Sequence, residues 1–120
     1  MVPWISKIEL KELDKKEEKL LFELKKHRFY IILQELCLSK NINMITSIEE
    51  DKTGFTSSLS IIFLDGSDNM IKEPDEPNCS IFIYETIFFK GNKKYYFVDL
   101  INDPDFLNQL LNITNLIKKI

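Results

Sequence analysis

The sequence has no alanine, one arginine, one histidine, two cysteines and only three glycines in 120 residues. Each shortage removes a class of chemistry. Gly54, Gly66 and Gly91 all sit in turn-like settings, so no glycine-rich phosphate cradle can be built. The lone histidine, His27, stands beside Arg28 within an apolar helical segment, where a packed or solvated role is the ordinary one. Cys37 and Cys79 are too scattered for a disulfide framework or a zinc site. Cys37 reads as a small buried hydrophobe. No serine or cysteine lies in a nucleophile-elbow context. One arginine and a pI near 5.2 argue against a direct nucleic-acid reader, although Lys90 to Lys94 make a small basic turn beside Tyr95 and Tyr96.

Long apolar runs are also missing. None approaches the roughly 20 residues that span a bilayer. The opening "MVPWISKIELKELDKK" lacks a charged segment followed by an apolar one, so no signal peptide is expected, and the expected compartment is the cytoplasm.

What is present is isoleucine (17), lysine (15) and asparagine (9), a bias that suggests an AT-rich coding region of the kind common in bacteria, phages and mobile elements. A hydrophobic fraction of 44% and 12% aromatics can fill the core of one domain spanning 1–120.

Charge is uneven. Residues 1–40 hold nine basic and seven acidic groups, residues 41–80 hold two and eight, and residues 81–120 hold five and four. The acidity therefore gathers in the middle third, much of it in "DGSDNMIKEPDEPN", which carries Asp65, Asp68, Glu73, Asp75 and Glu76. Glu49, Glu50 and Asp51 precede the next strand and are expected nearby. Counted as a calcium loop, Asp65, Ser67, Asn69, Glu73 and Glu76 fall at liganding positions, but Met70 occupies the place that needs glycine, Pro74 lies inside and strands flank the segment. No metal and no cofactor are expected.

The elements read as an α+β domain: a long N-terminal helix, a four-stranded mainly antiparallel meander and a C-terminal helix. Ser6 and Glu9 form a capping box, with Ile5 and Leu10 as its staple. A second box, Asp14 to Glu17, leaves two readings: one continuous helix, or a short helix followed by another over 15–38. Asn41 is a left-handed stop. Met44 to Glu50 is a weak strand, "DKTG" a turn, and "FTSSLSIIFL" puts Phe55, Leu59, Ile61 and Phe63 on one face. A Gly91-Asn92 turn would pair Phe88 with Tyr95, Thr86 with Phe97 and Tyr84 with Asp99. Asp103 caps the last helix, Pro104 takes its first turn, and Phe106, Leu110, Ile113, Ile117 and Ile120 form its stripe.

In that register Glu85 and Asp99 point to opposite faces, so they are not an acid/base pair. If helices cover the face of Ile83, Ile87, Tyr96, Val98 and Leu100, the other face displays Phe82, Tyr84, Phe88, Tyr95 and Phe97, an aromatic patch larger than monomers usually leave open.

These observations point to a non-enzymatic binding protein. The first expectation is an inhibitor of immunity-protein or antitoxin character. It would neutralise a basic partner, such as a toxin or a nucleic-acid-processing protein, through Asp65, Asp68, Glu73, Asp75, Glu76, Glu49, Glu50 and Asp51, with Tyr84, Tyr95 and Phe97 as anchors. Neither nucleic acid nor membrane is an expected partner. The second expectation is a structural or adaptor subunit, a homodimer formed through the aromatic face. The third, a small enzyme, would rest on Glu85, Asp99 or His27.

Overall fold

A computed structural model describes residues 7–52, 55–91 and 94–120, with side chains assigned throughout these except in 7–13 and at 91. The capping box at Ser6–Glu9 and its staple lie outside the described side chains, as do parts of both expected turns, 53–54 and 92–93.

Helix α1 (Lys7–Lys26) and helix α2 (Arg28–Ser39) lead into strands β1 (Asn43–Glu50), β2 (Thr56–Leu64), β3 (Phe82–Gly91) and β4 (Lys94–Phe97). A 3₁₀ turn (Leu100–Asn102) then enters helix α3 (Pro104–Lys118). The strands form one antiparallel sheet in the order β1-β2-β3-β4.

The helix break falls at His27, not at Asp14. The His27 N–H still donates to the Leu24 carbonyl at 2.9 Å, but its ψ of 137° leaves helical space. Its Nδ1 then accepts from the Phe29 N–H at 3.1 Å, so the imidazole caps α2. At the other end of α2, Asn41 adopts φ 57°, and Ile42 and Asn41 donate back to the Cys37 and Leu38 carbonyls at 2.9 and 3.3 Å. This is a Schellman closure around a residue that tolerates left-handed backbone. It reverses the chain directly into β1.

The core lies between the sheet and the helices. Leu59, Ile61 and Phe63 of β2, Ile83 and Ile87 of β3, Leu20 and Leu24 of α1, Leu33 and Cys37 of α2, and Phe106, Leu110 and Ile117 of α3 are almost wholly buried. Each such side chain removes roughly 1.5–3 kcal/mol worth of apolar surface from water. Phe55 and Ile120, expected in apolar stripes, instead lie exposed just outside β2 and α3. Asp103 caps α3 through the Asp105 N–H at 3.0 Å, with Pro104 in the first turn.

All three helices bear on one face of the sheet. Tyr30 of α2 hydrogen-bonds Thr46 of β1 at 2.8 Å, and Gln109 of α3 donates to Glu85 of β3. Lys16 of α1 lies 5.8 Å from the Phe97 ring centre of β4.

Candidate protein-binding surface

Which strand residues face away from the helices is decided by one irregularity. Ser57 pairs with Phe88 but Ser58 pairs with Thr86, so Ile87 is an extra residue in β3. Such a bulge puts two consecutive residues on one side and reverses the alternation beyond it. Ile81, Ile83 and Ile87 are buried, Phe88 is buried as well, and Phe89 is exposed. The β3–β4 pairing also runs differently from the expected hairpin. Phe88 meets Phe97, Phe89 meets Tyr96, Lys90 meets Tyr95 and Gly91 meets Lys94.

The aromatic residues are therefore redistributed. Tyr84 and Phe82 do lie on the open face, 59% and 54% exposed. Tyr95 and Phe97 do not: they share the helix-covered side with Phe88, which stacks on Tyr95 at 5.1 Å. Their places on the open face are taken by Phe89 and Tyr96, 38% and 41% exposed and stacked on each other at 4.8 Å. Tyr96 was expected under the helices, and the reversal at Ile87 carries it out. The sequence signal for this is the run Ile87-Phe88-Phe89, three apolar residues that a simple alternating strand would not place.

The open face can be read across the sheet from the register. Ile45, Ile62 and Phe82 lie side by side at one end, Ser47, Ser60 and Tyr84 form the next row, and Thr56, Phe89 and Tyr96 close the other end. Ser47 and Ser60 hydroxyls are 3.2 Å apart. The surface is thus two apolar ends around a hydroxyl stripe. Tyrosine in such a setting offers a rigid apolar body with a polar tip, the residue type that concentrates binding energy at interfaces.

The acidic groups do not form one patch. Glu49, Glu50 and Asp51 lie at the Thr56 end of β2, whereas Asp65 follows Leu64 at its other end, about 26 Å away at roughly 3.3 Å per residue. The expectation that they cluster is overturned by the antiparallel β1–β2 pairing. The three do not act together either. Glu49 and Asp51 flank the open face, and Asp51 accepts a hydrogen bond from the Thr56 hydroxyl at 3.0 Å. Glu50 shares the helix side with Ser57, near Glu17 of α1. Burial raises the Glu17 carboxyl above its ordinary range; a hydrogen bond from Ser57 opposes this, while the charges of Asp14 and Glu50 add to it.

The acidic segment after β2 is a folded structure, not an open loop. Ile71 donates to the Phe63 carbonyl at 2.9 Å and Ile81 donates to the Ile71 carbonyl at 2.8 Å, so residues 70–72 insert as a short rung between the splayed ends of β2 and β3. Two turns flank the rung, and their carboxylates have local work. Asp65 Oδ1 accepts the Ser67 and Asn69 N–H groups at 2.8 and 3.0 Å, and Asp68 supplies left-handed backbone at φ 61°. Glu73 donates its N–H to the Cys79 carbonyl at 2.8 Å. Asp75 lies 3.4 Å from Lys119, which caps the C-terminus of α3. The Cys79 thiol donates to Glu76 at 3.4 Å, and that bond and nearby carboxylates raise its pKa.

The candidate catalytic groups are occupied in the same structural way. His27 is a cap, Glu85 holds Gln109, and Asp99 accepts from Asn102 at 2.6 Å. A cleft of about 220 Å³ between α1 and β4 is lined by Lys16, Lys19, Leu20, Glu23, Phe97 and Asp99, but its Lys19 and Glu23 already pair at 3.8 Å. Among the described residues no three His, Cys, Asp or Glu side chains converge as a metal site, and no helix is long and apolar enough to cross a membrane. Burial pushes the Cys37 thiol up to about 11, which leaves it unreactive at neutral pH.

No family model matches the chain, and no curated protein or solved structure matches it either.

Proposed function

We propose that the chain is a non-catalytic protein-binding domain, an inhibitor of the immunity-protein or antitoxin kind, whose contact surface is the open face of its sheet. One observation carries this reading: Phe82, Tyr84, Phe89 and Tyr96 are all substantially exposed on one hydrogen-bonded strand pair. Leaving aromatic groups in water is costly, and monomers rarely leave so many together. Glu49 and Asp51 at the rim of that face would steer a basic partner toward it. The acidic turns of 65–79 contribute a weaker, longer-range field, because Asp65, Asp75 and Glu76 are engaged within the chain.

The test is affinity capture from source cells with the unaltered chain, the double variant Tyr84→Ser/Tyr96→Ser, and Glu49→Lys. A partner retained by the unaltered chain, lost with the aromatic pair and captured more slowly with Glu49→Lys supports the reading. A partner indifferent to the aromatic pair but lost on reversal of Asp75 and Glu76 would move the contact surface to the acidic turns.

A further inference from the structure

The open face is not the only surface prepared for contact. β1 is an edge strand, and its only edge-protecting feature is the pair Glu49 and Glu50 at one end. Its sequence, NMITSIEE, has no proline, no lysine and no bulge across all eight residues. The opposite edge, β4, is half as long and begins with Lys94.

The hydrogen-bond phase of β1 follows from one pair. Asp51 N–H donates to Thr56 at 2.8 Å, so the odd residues of β1 bond to β2 and the even ones turn their N–H and C=O groups outward. Met44, Thr46, Ile48 and Glu50 thus present a regular row along the edge, which no other described strand pairs.

Above that edge lies an apolar helix flank. Tyr30 ties α2 to β1 and Gln109 ties α3 to β3, so α3 lies toward the sheet interior and α2 toward the edge. A small cleft lined by Gln34, Leu38, Asn43 and Met44 marks the side of α2 that overhangs it. Leu38 is 70% exposed, and Ile31, seven residues earlier and so on the same flank, is 38% exposed.

We propose that a second copy of this chain occupies the β1 edge, joining the two sheets through antiparallel β1–β1 pairing about a two-fold axis at Thr46. This surface is distinct from the open face and does not depend on the reading above. Residues opposite one another in an antiparallel pair share a face, and only the even residues have outward bonding groups. A two-fold at Thr46 satisfies both conditions. Thr46 meets Thr46 and Met44 meets Ile48 of the other copy, on the helix side. Charge favours this register too. Glu49 faces Asn43 and Glu50 faces Ile42 across the seam, so the carboxylates separate into opposite ends, whereas a seam centred on Glu50 would bring them together. The same axis runs the two α2 helices antiparallel and turns the exposed flank of Ile31 and Leu38 on each toward the other copy. A seam about 26 Å long and about 20 Å deep, counting strand and helix layers, covers on the order of 1,000 Å² in total, the lower range of specific interfaces.

The experiment is sedimentation velocity with light scattering on the full chain from about 1 to about 200 µM, a range that brackets micromolar interfaces. The expected species is twice the 14.2 kDa chain mass. Ile31→Glu/Leu38→Glu alters only exposed positions and should shift the midpoint concentration more than tenfold upward. In a Cys79→Ser background, Thr46→Cys should oxidise to a covalent dimer, because a bonded pair holds its Cα atoms near 5.5 Å, and Ser47→Cys should not. A monomer throughout the range overturns the proposal. So does a dimer untouched by the helix pair but dissolved by Tyr84→Ser/Tyr96→Ser, which would assign self-association to the open face. Cross-linking through Ser47→Cys alone would overturn the register.

Discussion

Phe88 and Phe89 are adjacent and chemically identical, yet the bulge at Ile87 gives them opposite fates, and their alanine variants measure it. Phe88 is 5% exposed, stacks on Tyr95 at 5.1 Å and faces Phe97 under the helices. Truncating a buried phenylalanine of this kind removes its transfer energy and leaves a cavity, about 3–5 kcal/mol together. Phe89 is 38% exposed and touches chiefly Tyr96, so Phe89→Ala should cost only about 1 kcal/mol. For a chain of this size about 1 kcal/mol moves the melting temperature by roughly 3–6 °C. Phe88→Ala should therefore melt more than about 10 °C below the unaltered chain, and Phe89→Ala no more than about 6 °C below it. Urea titration followed by circular dichroism checks both, with an unchanged slope showing that the denatured states are comparable. Had β3 alternated strictly from Ile83, Phe89 would be the inner residue. Equal costs, or a larger cost for Phe89→Ala, would refute the bulge and with it the composition of the open face.

The remaining predictions concern caps and carboxylates. Asp103→Ala should destabilise the chain by about 1 kcal/mol in the same titration, since it removes the acceptor for the Asp105 N–H at the start of α3. The raised carboxyl of Glu17 has a linkage consequence. A folded state that holds a proton more tightly than the unfolded chain gains stability as pH falls through the raised value toward the reference of 4.5, and loses that gain at neutral pH. Glu17→Gln should thus be stabilising at pH 7, and the advantage should vanish below about pH 4.5, as thermal melts across pH would record. Cys79, whose thiol is raised by its bond to Glu76, should react slowly with a disulfide reagent at pH 8, and Glu76→Gln should accelerate it; equal rates would mean the 73–79 turn is open.

Much of the architecture could be read from local pattern alone. The helical periodicity of Leu20 and Leu24, the left-handed stop at Asn41, the alternation of Leu59, Ile61 and Phe63, and the Asp103-Pro104 start of α3 each reflect bonding or steric preferences within a few residues. Such preferences survive without any distant partner, and they specify helices, a four-stranded meander and a closing helix in the right order. The position of the helix break did not follow, because two caps competed: the carboxylates after Asp14 were compatible with continued helix, while His27 could serve as acceptor only once the chain had turned.

The surface was a tertiary decision. A strand's period is two, so one added residue moves every later side chain to the other face. Nothing within β3 alone dictates that Ile87 be the extra residue. That was settled by β2, where Ser57 and Ser58 pair across it, and by the helices, which bury both Ile87 and Phe88. The charge pattern met the same limit. Sequence placed eight carboxylates in one third of the chain. The antiparallel β1–β2 hairpin then set them at opposite ends of a strand, and the rung at 70–72 tied Asp65, Asp75 and Glu76 to nearby donors. Composition fixed how much acid and how many aromatic rings the molecule carries. Long-range pairing determined which of them meet the solvent together, because only pairing converts order along the chain into position in space.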